Sequence, residues 1–344
     1  MLAACSWPYR VAASLLKRLS GAQSSAEEIR LLTTRGGTQR AMQKQAEAEQ
    51  ACSSRAQAVP QAESTETAQL PSAPHPEQPM LLGMDGGWVW SYEQRGGMEG
   101  KVAVVCSQVE DLPMPSYCTT CADWRHRAAR HPPRHRHRLA QRRSVATFGP
   151  AKQIGQQAKA TAQSLGGDPG RPVVLIADGA EWIKQEQGKH FAHATCMLDW
   201  AHLWREVRGA IYAAARAKPL SAAERDYQLC VHRSWLWHGN VAQAVHGLRT
   251  LATGLPAEAL KPLKEAITYL EHQRPWIGSY ERWKAQGYPV GSGMIERAVA
   301  LVINRRMKKR GMRWKRANGT AIVALRTDLL NDDWVTPQRL RAFP

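Results

Sequence analysis

Residues 171–178 read RPVVLIAD, a near-continuous apolar run that ends on an acid and follows the breaker Gly166-Gly167-Asp168-Pro169-Gly170. A run of this kind is the pattern of a strand buried on both faces of a sheet, so an α/β architecture is expected. On its N-terminal side, the segment from Pro150 to Leu165 suits a helix. Met80 to Ser91 (MLLGMDGGWVWS), Gly100 to Ser107 (GKVAVVCS) and Ser144 to Gly149 (SVATFG) read as three strands, the second being the hairpin partner of the first. On the C-terminal side, Ala194 to Asp199 (ATCMLD) reads as a shorter strand that leads into a helix from about Trp200 to Lys218. The order describes an α/β sheet that begins with an antiparallel meander.

The flanking segments differ in kind. Residues 219–287 read as an all-helical insertion, with a capping box at Ser221 and Glu224 and helices after Asn240, after Pro256 and near Trp276 to Trp283. The core resumes over 288–334, where the turn Gly291-Ser292-Gly293 opens a helix, and a last helix runs from beyond Asn318 to Leu330; residues 335–344 form a tail. Ahead of the core, residues 1–50 show helical spacing of Val11, Leu15, Leu16 and Leu19, then a cap at Ser24 to Glu28, which makes a candidate DNA-reading helix pair. Residues 51–79, rich in Ser, Ala, Gln, Glu and Pro, read as a disordered linker.

The chain has 344 residues and a formal charge of +18, and the charge is concentrated in two places. Residues 297–316 carry Arg297, Arg305, Arg306, Lys308, Lys309, Arg310, Arg313, Lys315 and Arg316 with no acid among them. Ala122 to Arg143 carries eight Arg against Asp123, interleaved with His126, His131, His135 and His137. Charge clustered in this way points to a polyanion partner, most simply nucleic acid, bound in a salt-dependent manner. No apolar run reaches the length of a membrane span. Leu2-Ala3-Ala4-Cys5 mimics a lipoprotein cleavage site without the apolar stretch that should precede it, so a cytoplasmic, nucleoid-associated protein is expected. Seven cysteines, an odd number, point to reduced thiols.

Three acids stand where chemistry would need them. Asp85 lies in a strand between glycines, Asp178 ends the buried strand, and Glu296 opens the late helix. Hard divalent cations take oxygen ligands, and two or three carboxylates leave positions open for water and a substrate phosphate. Each acid alone reads more often as a turn or cap residue; the combination shifts the balance toward a metal site.

The blocks GMDGGWV, VVLIADGAEWI, LDWAHLWREV and GYPVGSGMIERAVALVINRRMKKRGMRW resemble those of DDE-class bacterial insertion-sequence transposases, most nearly the ISKra family, over roughly Met80 to Trp334. The resemblance implies an RNase H-like core, a mixed five-stranded sheet flanked by helices, with the helical insertion before the last catalytic helix. It places the catalytic and metal-binding triad on Asp85, Asp178 and Glu296, and implies two-metal phosphoryl transfer with Mg²⁺ or Mn²⁺. Asp85 would bridge both ions, while Asp178 and Glu296 would each complete one site. It also implies double-stranded DNA, the transposon ends and the target, as the partner, with a homo-oligomer assembled on it. Asp199 and His202 match the family's Asp-x-x-His pair, and helix spacing puts them on one face as auxiliary residues. Glu181 is a further candidate acid.

Other features are less telling. Of the thirteen tryptophans, Trp182, Trp200, Trp204, Trp235, Trp237, Trp276 and Trp283 are expected mostly in the core, with one or two stacking on an unpaired base. Cys118-x-x-Cys121 with His126 and His131 has zinc-like spacing, though the Arg- and Pro-rich surroundings favour an exposed basic loop. The portion before the linker is shorter than in the family, as expected of a truncated copy. The alternative readings are therefore a truncated or domesticated derivative that only binds DNA, and a structure-directed RNase H-like nuclease.

Overall fold

The computed structural model describes residues 1–53, 78–112, 136–167, 170–218 and 220–335. The N-terminal helices are α1 (Leu2–Ser6), α2 (Tyr9–Ser20) and α3 (Ala26–Ser53). The sheet is built from β1 (Met80–Trp90), β2 (Gly97–Leu112), β3 (Arg136–Thr147), β4 (Val173–Ala177) and β5 (Thr195–Leu198), in the order β3-β2-β1-β4-β5. β1 to β3 pair antiparallel, whereas β4 joins β1 and β5 joins β4 in parallel. Helices α4 (Ala151–Ser164) and α5 (Glu181–His190) make the two crossovers on one face. The apolar run of residues 173–177 is buried as expected of a strand covered on both sides.

β2 and β3 extend well past the expected strands. Their ladder continues through Glu110↔Arg138 to Leu112↔Arg136, a polar ribbon held by backbone pairing where hydrophobic alternation has faded. The linker residues 54–77, most of the Arg/His block, Cys118, Cys121, His126 and His131 lie outside the described residues, as do the tail residues 336–344.

Helix α6 (Trp200–Ala217) continues from β5, and the region expected as the helical insertion holds α7 (Ala222–Trp237), α8 (Val241–Ala252), α9 (Ala257–Gln273) and α10 (Tyr280–Ala285). The capping box at Ser221 and Glu224 is present. Aromatic rings join this layer to the sheet: Trp200 meets Trp237 and Tyr280 at 4.9 Å, and the Tyr280 hydroxyl donates to the Leu198 carbonyl at 2.9 Å.

The late basic segment is not one continuous helix. α11 (Gly293–Val299) passes through a π-helical turn at Ala300–Asn304 into α12 (Arg305–Met307) and then stops. Residues 308–315 form a loop, and α13 (Arg316–Leu330) follows, beginning slightly earlier than the sequence suggested. Gly311 adopts φ +78, and Trp314 is clipped to the end of β1: its N–H donates to Trp90 O at 2.9 Å, and Tyr92 N–H donates to its carbonyl at 3.0 Å. These two hydrogen bonds pull the chain out of the helix. The carbonyls loosened by the π-turn are not left unsatisfied, because the buried Arg326 donates to Leu301 and Val302.

Helices α11 and α13 cover the face of the sheet opposite α4, with Ile295, Val299, Ile303, Ile322 and Val323 packed on Val102, Val104 and Phe148. α3 bridges the two faces. Arg40 and Lys44 pair with the buried Asp328 of α13, while Gln45 reaches Gln156 of α4. At the crossing with α13 there is no room for a side chain on Gly37, whose Cβ would lie 2.5 Å from the Ala321 carbonyl oxygen. Residues 26–53 are therefore packed into the same body as the sheet.

Gly37→Leu should force α3 off α13 and lower stability by about 1–3 kcal/mol, the usual cost of overpacking. In urea unfolding followed by circular dichroism the whole transition should shift as one. An N-terminal segment that stood apart would leave its midpoint unchanged.

Candidate active site

The sheet register brings the acids together. Gly83 is aligned with Ile176, and the same offset two residues on aligns Asp85 with Asp178. Ala177 is aligned with Leu198, so one step further aligns Asp178 with Asp199. Three aspartates from β1 and from the ends of β4 and β5 thus fall in one row across adjacent strands. The offset of 93 residues between Asp85 and Asp178 is the register of the β1–β4 pair.

Glu296 arrives on α11, which lies along β1 on the side that Asp85 faces. Gly83 makes this approach possible, because a Cβ there would sit 2.9 Å from Ile295 Cβ. Gly87 is similarly close to Val299 and Ile303, whereas Gly86 faces the Glu99 carboxylate. The glycines around Asp85 therefore admit a helix and a neighbouring side chain.

Electrostatics records the convergence. Burial first, then Asp178 and Glu296, push the Asp85 carboxyl up to about 6, against the opposing pull of the Gly86 N–H and His202. Asp85 and Asp178 are half-buried and Glu296 is exposed. Asp178 is oriented by the turn that follows it, with its carboxylate accepting from Ala180 N–H at 3.0 Å. Gly179 takes φ +80, and Gln273 at the end of α9 donates to its carbonyl at 3.0 Å. The insertion thus holds the turn that carries Asp178, a role no sequence signal announced for Gln273.

Asp199 is the holding residue of the site. Its side chain is fully buried and accepts from Ala201 N–H, His202 N–H, Ser292 N–H and His202 Nδ1, filling the roughly four acceptor positions of a carboxylate. Burial works to raise its pKa, but the hydrogen bonds from His202 and Ser292 win and hold it below the usual carboxylate range. The bond to Asp199 in turn raises His202. With Nδ1–H donating to the carboxylate, His202 Nε2 is left for other partners. Ser292 passes the connection on, its hydroxyl donating to Glu296 Oε1 at 2.9 Å.

Among the described residues, ligand atoms of Asp199, His202 and Glu296 lie within 4.8 Å of one another, a group with the residue types to hold a metal ion. Because Asp199 already has its acceptor positions filled, it serves better to fix His202 and Ser292 than to bind a cation. Asp85, Asp178 and Glu296 share an electrostatic neighbourhood but do not form so tight a group.

Of the nine basic residues in 297–316, Arg297, Arg305, Lys308, Lys309, Arg310, Arg313, Lys315 and Arg316 are exposed. Arg306 departs from expectation. It is 1% exposed, lies 5.0 Å from the ring centres of both Tyr9 and Trp314, and donates to Ala4 O, so it binds α1 and α2 to the body instead of facing a partner. Trp276 is buried, and Trp200, Trp204, Trp237 and Trp283 belong to the aromatic contacts of the insertion. Glu181 lies at the first turn of α5 with His272 at 3.9 Å. A cavity of about 700 Å³ opens between α3, α4 and α13, and none of the acids lines it. No described helix is long and apolar enough to cross a membrane.

The chain's sequence matches no protein-family profile and no curated protein.

Asp85→Asn should stabilise the metal-free protein. A carboxyl raised in the folded state costs stability as pH climbs from its unfolded value toward about 6. In EDTA, the variant's advantage should be absent near pH 4 and level off above pH 6, at on the order of 1–2 kcal/mol after solvent screening. Thermal unfolding across that range measures it. Gln273→Ala, which touches no acid, should loosen the Asp178 turn and leave a buried carbonyl unpaired, lowering stability by about 1–3 kcal/mol in the same assay.

Proposed function

We propose that this chain is a DDE-class DNA transposase of the kind its sequence resembles, cutting and joining strands at insertion-sequence ends. The observation that carries the reading is the row formed by Asp85 and Asp178 with Glu296 brought over it, three carboxylates whose mutual repulsion helps to raise Asp85. The five-stranded mixed sheet with its antiparallel meander and two parallel strands is compatible with an RNase H-like core.

The donor set suits a hard divalent cation: acidic oxygens, partly open to solvent, with negative potential in excess. Asp85, Asp178 and Glu296 would hold Mg²⁺ or Mn²⁺, which when bound supplies Lewis acidity toward a phosphate and lowers the pKa of water. Asp199 keeps His202 in one tautomer and orientation, with Nε2 available to a phosphate oxygen or an attacking group. Ser292 and Gln273 fix the backbone beneath Glu296 and Asp178. Positioning by rigid elements is the main task in phosphoryl transfer, and the chain's own nucleophile is not required. The exposed basic loop at 308–315, clipped to the far end of β1 through Trp314, would supply phosphate contacts to DNA leading away from the acids.

The test is cleavage and strand transfer by the full chain on oligonucleotides carrying the repeats that flank its gene, with Mg²⁺ or Mn²⁺. Asp85→Asn, Asp178→Asn and Glu296→Gln should each reduce the rate by roughly 10³-fold or more while DNA binding persists. Wild-type rates in all three would reject the assignment. Binding without any cleavage by the unaltered chain would support the binding-only derivative. Arg313→Ala and Lys315→Ala should each lower the slope of log affinity against log salt by about one.

A further inference from the structure

The end of β1 carries three large aromatic side chains in water. Trp88, Trp90 and Tyr92 are 59%, 65% and 66% exposed, and they alternate with the buried Val89 and Ser91. Alternation puts Trp88 and Trp90 on one face of the strand, the face turned away from α11, and Tyr92 follows just past the strand's end. Scattered exposed hydrophobics are ordinary, but a row of three at one strand end marks a contact surface.

Their surroundings indicate what the contact is. Trp314, which bridges to Ser91, is buried on the α11 side, so its exposed neighbours Arg313 and Lys315 fall on the side of Trp90 and Tyr92. Arg95 is exposed in the adjoining turn, and Lys101 lies on the same face of β2, over the Trp182 ring at 5.5 Å. Two acids are nearby, and each is engaged: Glu99 pairs with Lys101 at 3.0 Å, and Glu93 accepts from Arg316 N–H at 3.1 Å. The patch is therefore aromatic with a cationic border.

Spacing narrows the choice of partner. Residues two apart on a strand are about 6.7 Å apart. That is twice the roughly 3.4 Å advance per nucleotide of stacked DNA. The Cα spacing of Trp88 and Trp90 is thus in step with alternate stacked bases. Trp88 lies about 10 Å along the strand from Asp85, on the opposite face of the sheet.

We infer that Trp88, Trp90 and Tyr92 form a stacking platform for unpaired bases of a DNA strand, with Arg313 and Lys315 holding its phosphates. The assignment rests on the strand-cutting reading for its role, but binding is measurable without catalysis. Fluorescence anisotropy of a labelled 15-nucleotide mixed-sequence single strand and of the corresponding duplex, with the full chain in EDTA, separates the two.

Trp88→Ala and Trp90→Ala should each weaken single-strand binding by roughly tenfold and leave duplex binding unchanged, and Trp90→Phe should restore most of the loss. These side chains are exposed, so unfolding midpoints should stay at the wild-type value and report any folding defect. Unchanged single-strand affinity in the Ala variants, or equal loss on single strand and duplex, overturns the platform. So does Trp90→Ala abolishing self-association while single-strand affinity is kept, which would make the face a contact between copies of this chain. A protein that binds single strands through these rings yet never cuts DNA with Mg²⁺ sinks the transposase reading and leaves the platform standing.

Discussion

Like charges held close together in a folded chain repel, and this one brings acids together at the centre of its sheet. The parallel pairing of β1 with β4 sets Asp85 beside Asp178, and α11 adds Glu296. Burial first, with these neighbouring acids adding to it, raises a carboxyl on the central strand to about 6 in a protein whose formal charge is +18. Nearby acids clustered against the overall charge balance are a cost that packing alone does not require. Strained electrostatics of this sort concentrates at functional sites, where a bound cation relieves it.

Much of the surrounding structure works to hold that arrangement. Asp199 is the junction: fully buried, with its acceptor positions filled, it caps α6, orients His202 and anchors Ser292, which reaches Glu296. Gln273 fastens the Asp178 turn from the side of the helical insertion, and the Trp200–Trp237–Tyr280 contacts fasten the insertion to β5. On the other face, Arg326 caps the π-turn carbonyls behind α11, and Arg306 binds the first helices to the same layer. A buried guanidinium paired with several carbonyls is costly to disturb, because each lost partner leaves an orphaned polar group.

Much of this was legible in the sequence. The apolar run of residues 173–177 announced a doubly buried strand, and the acids Asp85, Asp178 and Glu296 stood out by position at strand and helix ends. The capping box at Ser221/Glu224 formed as read, and the cap read at Ser24 to Glu28 takes the form of a Ser25/Glu28 box, because both depend on neighbours within three residues. Long-range consequences were hidden. Nothing local distinguishes Arg306, buried between two rings, from the exposed Arg305 beside it. The break of the basic helix came from Trp314 pairing with a strand more than two hundred residues earlier. The tryptophans singled out in and ahead of the insertion are largely packing residues, as expected, while Trp88 and Trp90, read as ordinary strand residues, are exposed.

The central claim is that Asp85, Asp178 and Glu296 form one cation site and that Asp199 and His202 support it. Anomalous scattering from crystals of the full chain soaked in Mn²⁺ locates the ion directly. The account predicts density against Asp85 together with Asp178 or Glu296, lost in Asp85→Asn. Density on Asp199 and His202 away from Asp85, or none at millimolar Mn²⁺, would contradict it.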